Sequence, residues 1–423
     1  MAVVLPDARL RLIALLALPQ SDVDDLLWFW KDWQISRQPA VAMGLPSGVV
    51  SAIDIPVERY SSSASSWSLF TSISRLMFIF IFGDLSHAPV GVVYHTRYKN
   101  KGRFMKGKRV GAGMDQYSVC DVLVIGRACV DYITVVEHFP EEDSKVMLHE
   151  RVKEGGGQGT NTACCCARLG TTVRYVGALG DDDEGRFCLQ RLNDFGVDTS
   201  GVRRLEGTRT PVAYIVVTRS SGKRTIIYEP SPPSAVFLDE TLEALIESAR
   251  VVLLDPSVTH LAAGIQALKR RGAIVYDCER WKEGMADMMS LADYFIPAYP
   301  FLNDPELALP GESIKVRMRN LAAQVAGRLI VTHGEAGAYY LHEEGLYQVR
   351  PPRALIRDTT GAGDNFHAAF AAALARDFDL HAAVRFAVAV ATLSCRALGG
   401  RAGLPDLAEA TQVMGTLQAQ RIA

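Results

Sequence analysis

Two glycine-rich segments hold the residues best suited to chemistry. Asp358-Thr-Thr-Gly-Ala-Gly-Asp364 runs straight into the alanine-rich stretch Asn365-Phe-His-Ala-Ala-Phe370. A helix that starts there leaves its first N–H groups unpaired, with the positive end of its dipole at the loop. The backbone N–H groups of Gly361, Ala362 and Gly363 then form a pocket for anionic oxygens. Asp364 has no use as an anion ligand. Beside such a pocket a carboxylate makes sense as a base that takes the proton of an attacking hydroxyl while the loop stabilises charge on a transferred phosphoryl group.

The second segment, Glu154-Gly-Gly-Gly157-Gln-Gly159-Thr-Asn161, also opens a helical pattern. It lacks the Gly-Lys-Ser/Thr ending of a P-loop, and it does not follow the first strand directly as a dinucleotide fingerprint does. Glycines such as Gly156 and Gly157 still let backbone approach a ligand closely. Asn161 can donate to and accept from a polyol, or it can simply cap the helix. Asp131, five residues after Gly126, lies past the end of the first strand, where open parallel sheets collect ligands. A carboxylate there accepts sugar hydroxyls or is a solvated loop acid.

These segments need a scaffold. From about residue 120 the chain alternates short apolar strands with helical patterns. The strands are expected at 122–126, 173–178, 251–254, 273–276, 294–296 and 329–332, and helices at 161–169, 183–195, 261–270 and 315–326, with Gly170 and Gly196 as helix stops. Such alternation implies a mainly parallel sheet covered on both faces. Two segments break it: 145–153, and 210–228 with a hairpin signal at Ser220-Ser-Gly222. They are expected to form a small β-sheet outside the main one, placed as a lid.

Bulk composition excludes other classes. The chain has 423 residues, 48% hydrophobic and 22% charged, with a formal net charge of -2, so nothing recruits nucleic acid or an anionic membrane. Cys164, Cys165 and Cys166 are consecutive in a helical pattern. Neighbours there point about 100° apart, so they read as small buried residues of a reduced cytoplasmic protein rather than metal ligands.

Residues 1–113 sustain neither period. The apolar run Leu76–Phe82 is far shorter than the roughly 20 residues a spanning helix needs. Residues 1–20 make a poor signal peptide. Met114 precedes the lead-in to the first strand, so residues 1–113 are expected to be an upstream extension, disordered or a start-site artefact, and 114–423 the functional domain.

Together, Gly156-Gly-Gln-Gly159-Thr-Asn161-Thr-Ala163, then Gly170 and Gly180, and Asp358-Thr-Thr-Gly-Ala-Gly-Asp364 resemble the two signatures of the PfkB (ribokinase-like) carbohydrate kinases. The resemblance covers about residues 119–410. It implies a ribokinase-like three-layer α/β/α sandwich with a β-sheet lid, and ATP-dependent transfer, with Mg2+, to a sugar hydroxyl. It also implies Asp364 as catalytic base, Gly361–Gly363 as anion hole, and Asp131, Gly156, Gly157 and Asn161 around the sugar. Thr332, Gly334 and Gly337 fall beside the nucleotide, Asp358 and Thr360 where relatives bind a monovalent cation such as K+, and the lid where relatives form a homodimer.

Within the family, Val124–Asp131 and Phe139–Lys145 are similar to the ketohexokinase branch. Gly399-Gly-Arg-Ala-Gly-Leu-Pro405 is similar to the sulfofructose kinases. A ketose acceptor follows from that likeness, with Lys145 able to meet an anionic substituent or to be a solvated lid residue. A nucleoside kinase of the same fold and a non-catalytic sugar-binding regulator are the alternatives. The chain departs from the family at Ala298-Tyr-Pro-Phe301, where many members carry Asn-x-x-Glu to order Mg2+ waters. Asn303-Asp-Pro-Glu306 lies out of register and takes no role.

Overall fold

The computed structural model describes residues 51–55, 76–80, 119–230, 236–307, 309, 313–343 and 345–422. Met1–Val110 and Gly111–Ala423 are separate units. In the first, Ser51–Ile55 pairs antiparallel with Leu76–Phe80. The rest of the expected extension, and Met114 itself, lie outside the described residues.

The second unit begins with β1 (Val122–Ile125), β2 (Cys129–Val136), β3 (Leu148–Gly156), α1 (Gln158–Arg168), β4 (Val173–Gly180), α2 (Asp183–Asp194) and β5 (Asp198–Leu205). It continues with β6 (Val212–Thr218), β7 (Arg224–Tyr228), α3 (Glu240–Ser248), β8 (Val251–Leu254), α4 (Ala262–Gln266), β9 (Ala273–Cys278), α5 (Met285–Leu291) and β10 (Tyr294–Pro297). Last come α6 (Ile314–Ala322), β11 (Arg328–Thr332), β12 (Ala338–His342), β13 (Gly345–Val349), α7 (Ala362–Leu374), α8 (Leu380–Ser394), α9 (Leu407–Thr416) and β14 (Ala419–Arg421).

Ten strands form the main sheet in the order β14-β13-β12-β11-β10-β9-β8-β1-β4-β5. The run from β11 to β5 is parallel, and β12, β13 and β14 extend it antiparallel at one edge. Strands β1 and β8 at its centre are apolar at every position because both faces are covered. Val122 and Val124 of β1 pack with α1, α2, α7 and α8, whereas Leu123 and Ile125 face α3, α4, α5 and α6. Period-2 alternation thus feeds two cores from one strand, which gives the three layers expected.

The lid is larger than the sequence indicated. Four strands make it, in the order β3-β2-β6-β7, with β2·β6 parallel and the other pairs antiparallel. Strand β2 escapes a reading of the sequence because it follows β1 after only three residues, so the two merge into one apolar stretch. Asp131 therefore sits within a lid strand and is buried, which corrects its reading as a loop acid. The helix expected over 261–270 is shorter, because a 3-10 turn over Pro256–Leu261 precedes the short α4. All eight cysteines are free and buried, and of the three in α1 Cys165 and Cys166 meet α7, where Cys166 Sγ donates to Ala368 O at 3.2 Å.

Candidate active site

Strands β9, β10 and β11 end at a common edge, and their ends wall a cavity of about 550 Å3. Asp277, Cys278, Ala298 and Thr332 come from those ends. Gly361, Gly363 and Asp364 come from the start of α7, Gln158 from α1, and Arg224 from the lid. Helix α7 is buried on every side from Asn365 to Ala373, so it runs through the core and delivers its N-terminus to this edge.

Gly361 caps α7 in the left-handed region at φ 72°, a conformation that costs glycine little. Its missing side chain also admits Gly400, whose Cα lies 2.7 Å from where a Cβ would stand. Nothing lies within 4 Å of such a position on Gly363, so that backbone opens onto the cavity. Asp358 is fully buried and ties the loop: its Oδ1 accepts from Thr360 N (2.9 Å) and Oγ1 (2.8 Å), and its Oδ2 from Gly399 N (2.8 Å).

The glycines of 155–159 serve packing. A Cβ on Gly156 would collide with the Asp131 carboxylate, one on Gly157 (φ 95°) would stand 2.6 Å from Arg127 O, and one on Gly159 would meet Gly126 at 2.9 Å. They bring α1 against the end of β1 and so carry Asn161 to the centre of the site.

There Asn161 Nδ2 donates to Asp364 Oδ2 at 2.9 Å, across 203 residues of chain. Its Oδ1 accepts from Arg401 Nε at 2.9 Å, and Arg401 Nη2 donates to Thr160 Oγ1 at 2.7 Å. A donor-only arginine on one side and an acceptor-only carboxylate on the other fix the orientation of the amide. Arg401 is 2% exposed, and sequence reasoning missed it as a functional residue even though the Gly399-Gly-Arg401 run was the signal that could have found it. Burial pushes the Asp364 carboxyl above the usual range, opposed by the Asn161 hydrogen bond and the neighbouring His367. Burial likewise pushes Asp131 up to about 6, against the pull of Cys129 and Arg401.

The remaining expected residues divide. Thr332 lines the cavity. Gly334 and Gly337 form the turn after β11, both at positive φ, with His333 N bonded to Gly337 O at 2.7 Å. The His333 ring stacks on Tyr299 at 3.8 Å. Lys145 is exposed in the loop before β3 and does not line the cavity. The lid cation that does is Arg224, whose Nη1 donates to Thr359 Oγ1 at 2.7 Å. In place of the Asn-x-x-Glu turn, Ala298, Pro300 and Phe301 give the cavity a mostly apolar wall, while Glu279 and Asp304 provide carboxylates. Asn303 Oδ1 is taken by Arg317.

A parallel sheet with a β lid, an anion loop at a helix mouth and a carboxylate beside it define a phosphotransferase acting on a hydroxyl acceptor. The family comparison agrees: residues 120–407 match the pfkB family carbohydrate kinase model, and the chain belongs to that family. It is 29% identical to a ribokinase of Lactococcus lactis subsp. lactis over 68% of this chain and 95% of that protein. It is 26% identical to a nucleoside kinase of Methanothermobacter thermautotrophicus over 69% and 94%. The structure of Arabidopsis thaliana ribokinase complexed with ribose and ATP shares the fold, with a TM-score of 0.59 and 24% identity over 70% and 99% of the two chains. None of these three relatives is a ketohexokinase or a sulfofructose kinase.

Proposed function

We propose that the protein transfers the terminal phosphoryl group of ATP to a terminal hydroxyl of a small sugar, with a ketose such as fructose or sulfofructose as the acceptor. The observation that carries the reading is the Asn161–Asp364 hydrogen bond beside the open backbone of Gly363. Asp364 is the base, and it takes the proton of the acceptor hydroxyl as that oxygen attacks the phosphorus. Gly361, Ala362 and Gly363 receive the charge of the transferred group through their backbone N–H groups. Asn161, held by Arg401, keeps the carboxylate aimed, and Asp131 meets the sugar on the lid side, with Gly156 and Gly157 leaving room for the packing that seats it. Thr332, Gly334 and Gly337 border the nucleotide. Mg2+ neutralises phosphate charge when bound, and the Glu279 and Asp304 carboxylates at the cavity wall suit its water shell. Asp358 already accepts three hydrogen bonds, so a K+ ion there would use its last lone-pair position and Thr360.

An anionic substituent on the sugar would meet Arg224 before Lys145. A nucleoside acceptor is the second reading. The Methanothermobacter relative favours it, as does Tyr228 on the lid, with Arg127 5.5 Å over its ring. The lid exposes Tyr214 and its cross-strand partner Ile227 on one face, an apolar surface suited to a homodimer, and the cytoplasm supplies both ATP and the reducing conditions that suit free thiols. Among the described residues no helix is long and apolar enough to cross a membrane.

An ATP-consumption screen over fructose, sulfofructose, ribose and nucleosides tests the reading. Turnover with a ketose supports it, turnover with nucleosides alone selects the second reading, and no turnover with any acceptor rejects both. Light scattering on the wild type and Tyr214→Arg tests the dimer, which the arginine should split.

A further inference from the structure

Two arginines line the cavity, and they are not alike. Arg224, from lid strand β7, spends its Nη1 on Thr359 Oγ1. Arg280 follows the end of β9 by two residues and is exposed, and among the described residues its guanidinium has no hydrogen bond, ion pair or ring contact. The backbone that carries it is pinned on both sides. Before it, Cys278 pairs with Pro297 of β10, and Cys278 O accepts from Ala298 N at 3.2 Å. After it, Trp281 N donates to Asp304 Oδ2 at 3.3 Å, the Trp281 ring stacks on Phe301, and Lys282 Nζ donates to Pro256 O at 2.5 Å. Anchored neighbours thus hold one free charged head at the cavity wall.

The order of the sheet says what passes that head. Strand β9 lies between β8 and β10. Beyond β8 comes β1, whose end leads to Asp131 on the acceptor side; beyond β10 comes β11, whose end leads to Thr332 and the Gly334–Gly337 turn on the nucleotide side. Whatever joins a nucleotide to an acceptor must cross the end of β9, and in a phosphotransferase that is the phosphate chain. The anion loop meets the chain from the helix side. On the sheet side, the wall given by Ala298, Pro300 and Phe301 offers no polar side chain, and Glu279, Asp304 and Asp364 make the cavity acidic, so a polyanion needs a cation there. We propose that Arg280 is a further catalytic residue, a clamp that takes the phosphate oxygens of the nucleotide opposite the anion loop.

A guanidinium suits the task, because its planar fork meets two phosphate oxygens at once and carries its charge throughout the reaction. As the acceptor oxygen bonds to phosphorus, its proton passes to Asp364. The bond from phosphorus to the bridging oxygen of the leaving nucleoside diphosphate breaks, and its electron pair stays on that oxygen. The new negative charge therefore falls on the diphosphate, where the Arg280 fork opposes it, while the transferred group stays with the anion loop. Arg224 would have to release Thr359 to do the same. Arg280 has nothing to release, so its head turns to the phosphates without breaking a contact.

The inference rests on the kinase reading, and titration calorimetry of the full-length protein with ADP and with adenosine, Mg2+ present, separates the two because neither ligand needs an acceptor. The wild type is expected to bind both. Arg280→Gln keeps a donor and removes the charge. It is expected to weaken ADP roughly tenfold while adenosine affinity and melting temperature stay unchanged, and to lower kcat roughly 100-fold with little change in acceptor KM. Arg280→Lys should restore more of the ADP affinity than of kcat, since a point charge lacks the fork. Arg271→Gln removes the same charge from an exposed position off the cavity wall and should change nothing. Equal ADP affinity and kcat in wild type and Arg280→Gln would overturn the inference and leave the kinase reading standing. A parallel loss of adenosine binding, the mark of a structural role, or an equal effect of Arg271→Gln, the mark of a general field, would overturn it too. A wild type that binds no ADP would overturn both.

Discussion

The glycine-rich segments at 155–159 and 361–363 look alike in sequence, and both open a buried helix, yet their glycines answer opposite needs. In the first, the space where side chains would stand is filled by the protein itself: Arg401 at Gly155, Asp131 at Gly156, Arg127 O at Gly157 and Gly126 at Gly159. In the second, Gly361 is a backbone necessity at φ 72° that also admits Gly400, and the contrast rests on Gly363, which opens on nothing. One segment uses glycine to bring protein against protein; the other uses it to leave backbone N–H groups facing a cavity. A glycine-rich loop is therefore not one signal, and its meaning depends on what occupies the missing Cβ.

Substitutions can break that contrast. Asp364→Asn, next to the open loop, is expected to cut kcat roughly 10³-fold with little change in melting temperature, since only the base is lost. Full turnover in an ATP-consumption assay would remove Asp364 from that role. Gly363→Ala is expected to fold normally while kcat drops roughly 10- to 100-fold, because the methyl group enters the space of the phosphoryl group. Gly157→Ala should do the reverse in kind, costing about 1–3 kcal/mol of stability through its φ of 95° and the contact with Arg127 O, as thermal unfolding would show. Equal melting temperatures for the two alanine variants would erase the distinction.

Asp131, seated over Gly156, gives a pH-dependent version. Its folded-state value of about 6 lies above the 3.8 of an ordinary carboxyl, so the folded protein binds this proton more tightly than the unfolded chain does. The ionised form therefore costs stability above about pH 6, and that cost fades as pH falls towards 4. Asp131→Asn is expected to be more stable than wild type at pH 8, with the difference closing by pH 4. If Asp131 holds the sugar through its ionised form, as proposed, acceptor KM in the wild type should rise below pH 6 and the variant should lose that dependence. The smallest effect is expected from Lys145→Ala. The side chain is exposed and off the cavity wall, so KM should stay within about twofold even for an anionic sugar, whereas Arg224→Ala should weaken such a sugar selectively.

The family signatures, the parallel strands and the helix start after the 358–364 loop were legible because each is local. Positive-φ glycines, apolar runs and helix starts are properties of a few consecutive residues, and strand bounds such as Val251–Leu254 follow from them. Strand β2 was not legible, since it adjoins β1 and nothing local marks where one sheet ends and the other begins. Lys145 suggests a site role by its charge and segment alone, and neither says where its loop points.

The sequence by itself determined that a carboxylate sits at a helix mouth beside unpaired backbone N–H groups, since φ preference and the helix start are written into seven residues. Only the tertiary structure decided that Arg401, 240 residues from Asn161, fixes the amide that meets Asp364, and that His367 lies between two carbonyls, one from its own helix and one from β10. Hydrogen-bond partners and burial depend on which elements meet, and that is set by the packing of two cores about one sheet, which no window of sequence contains.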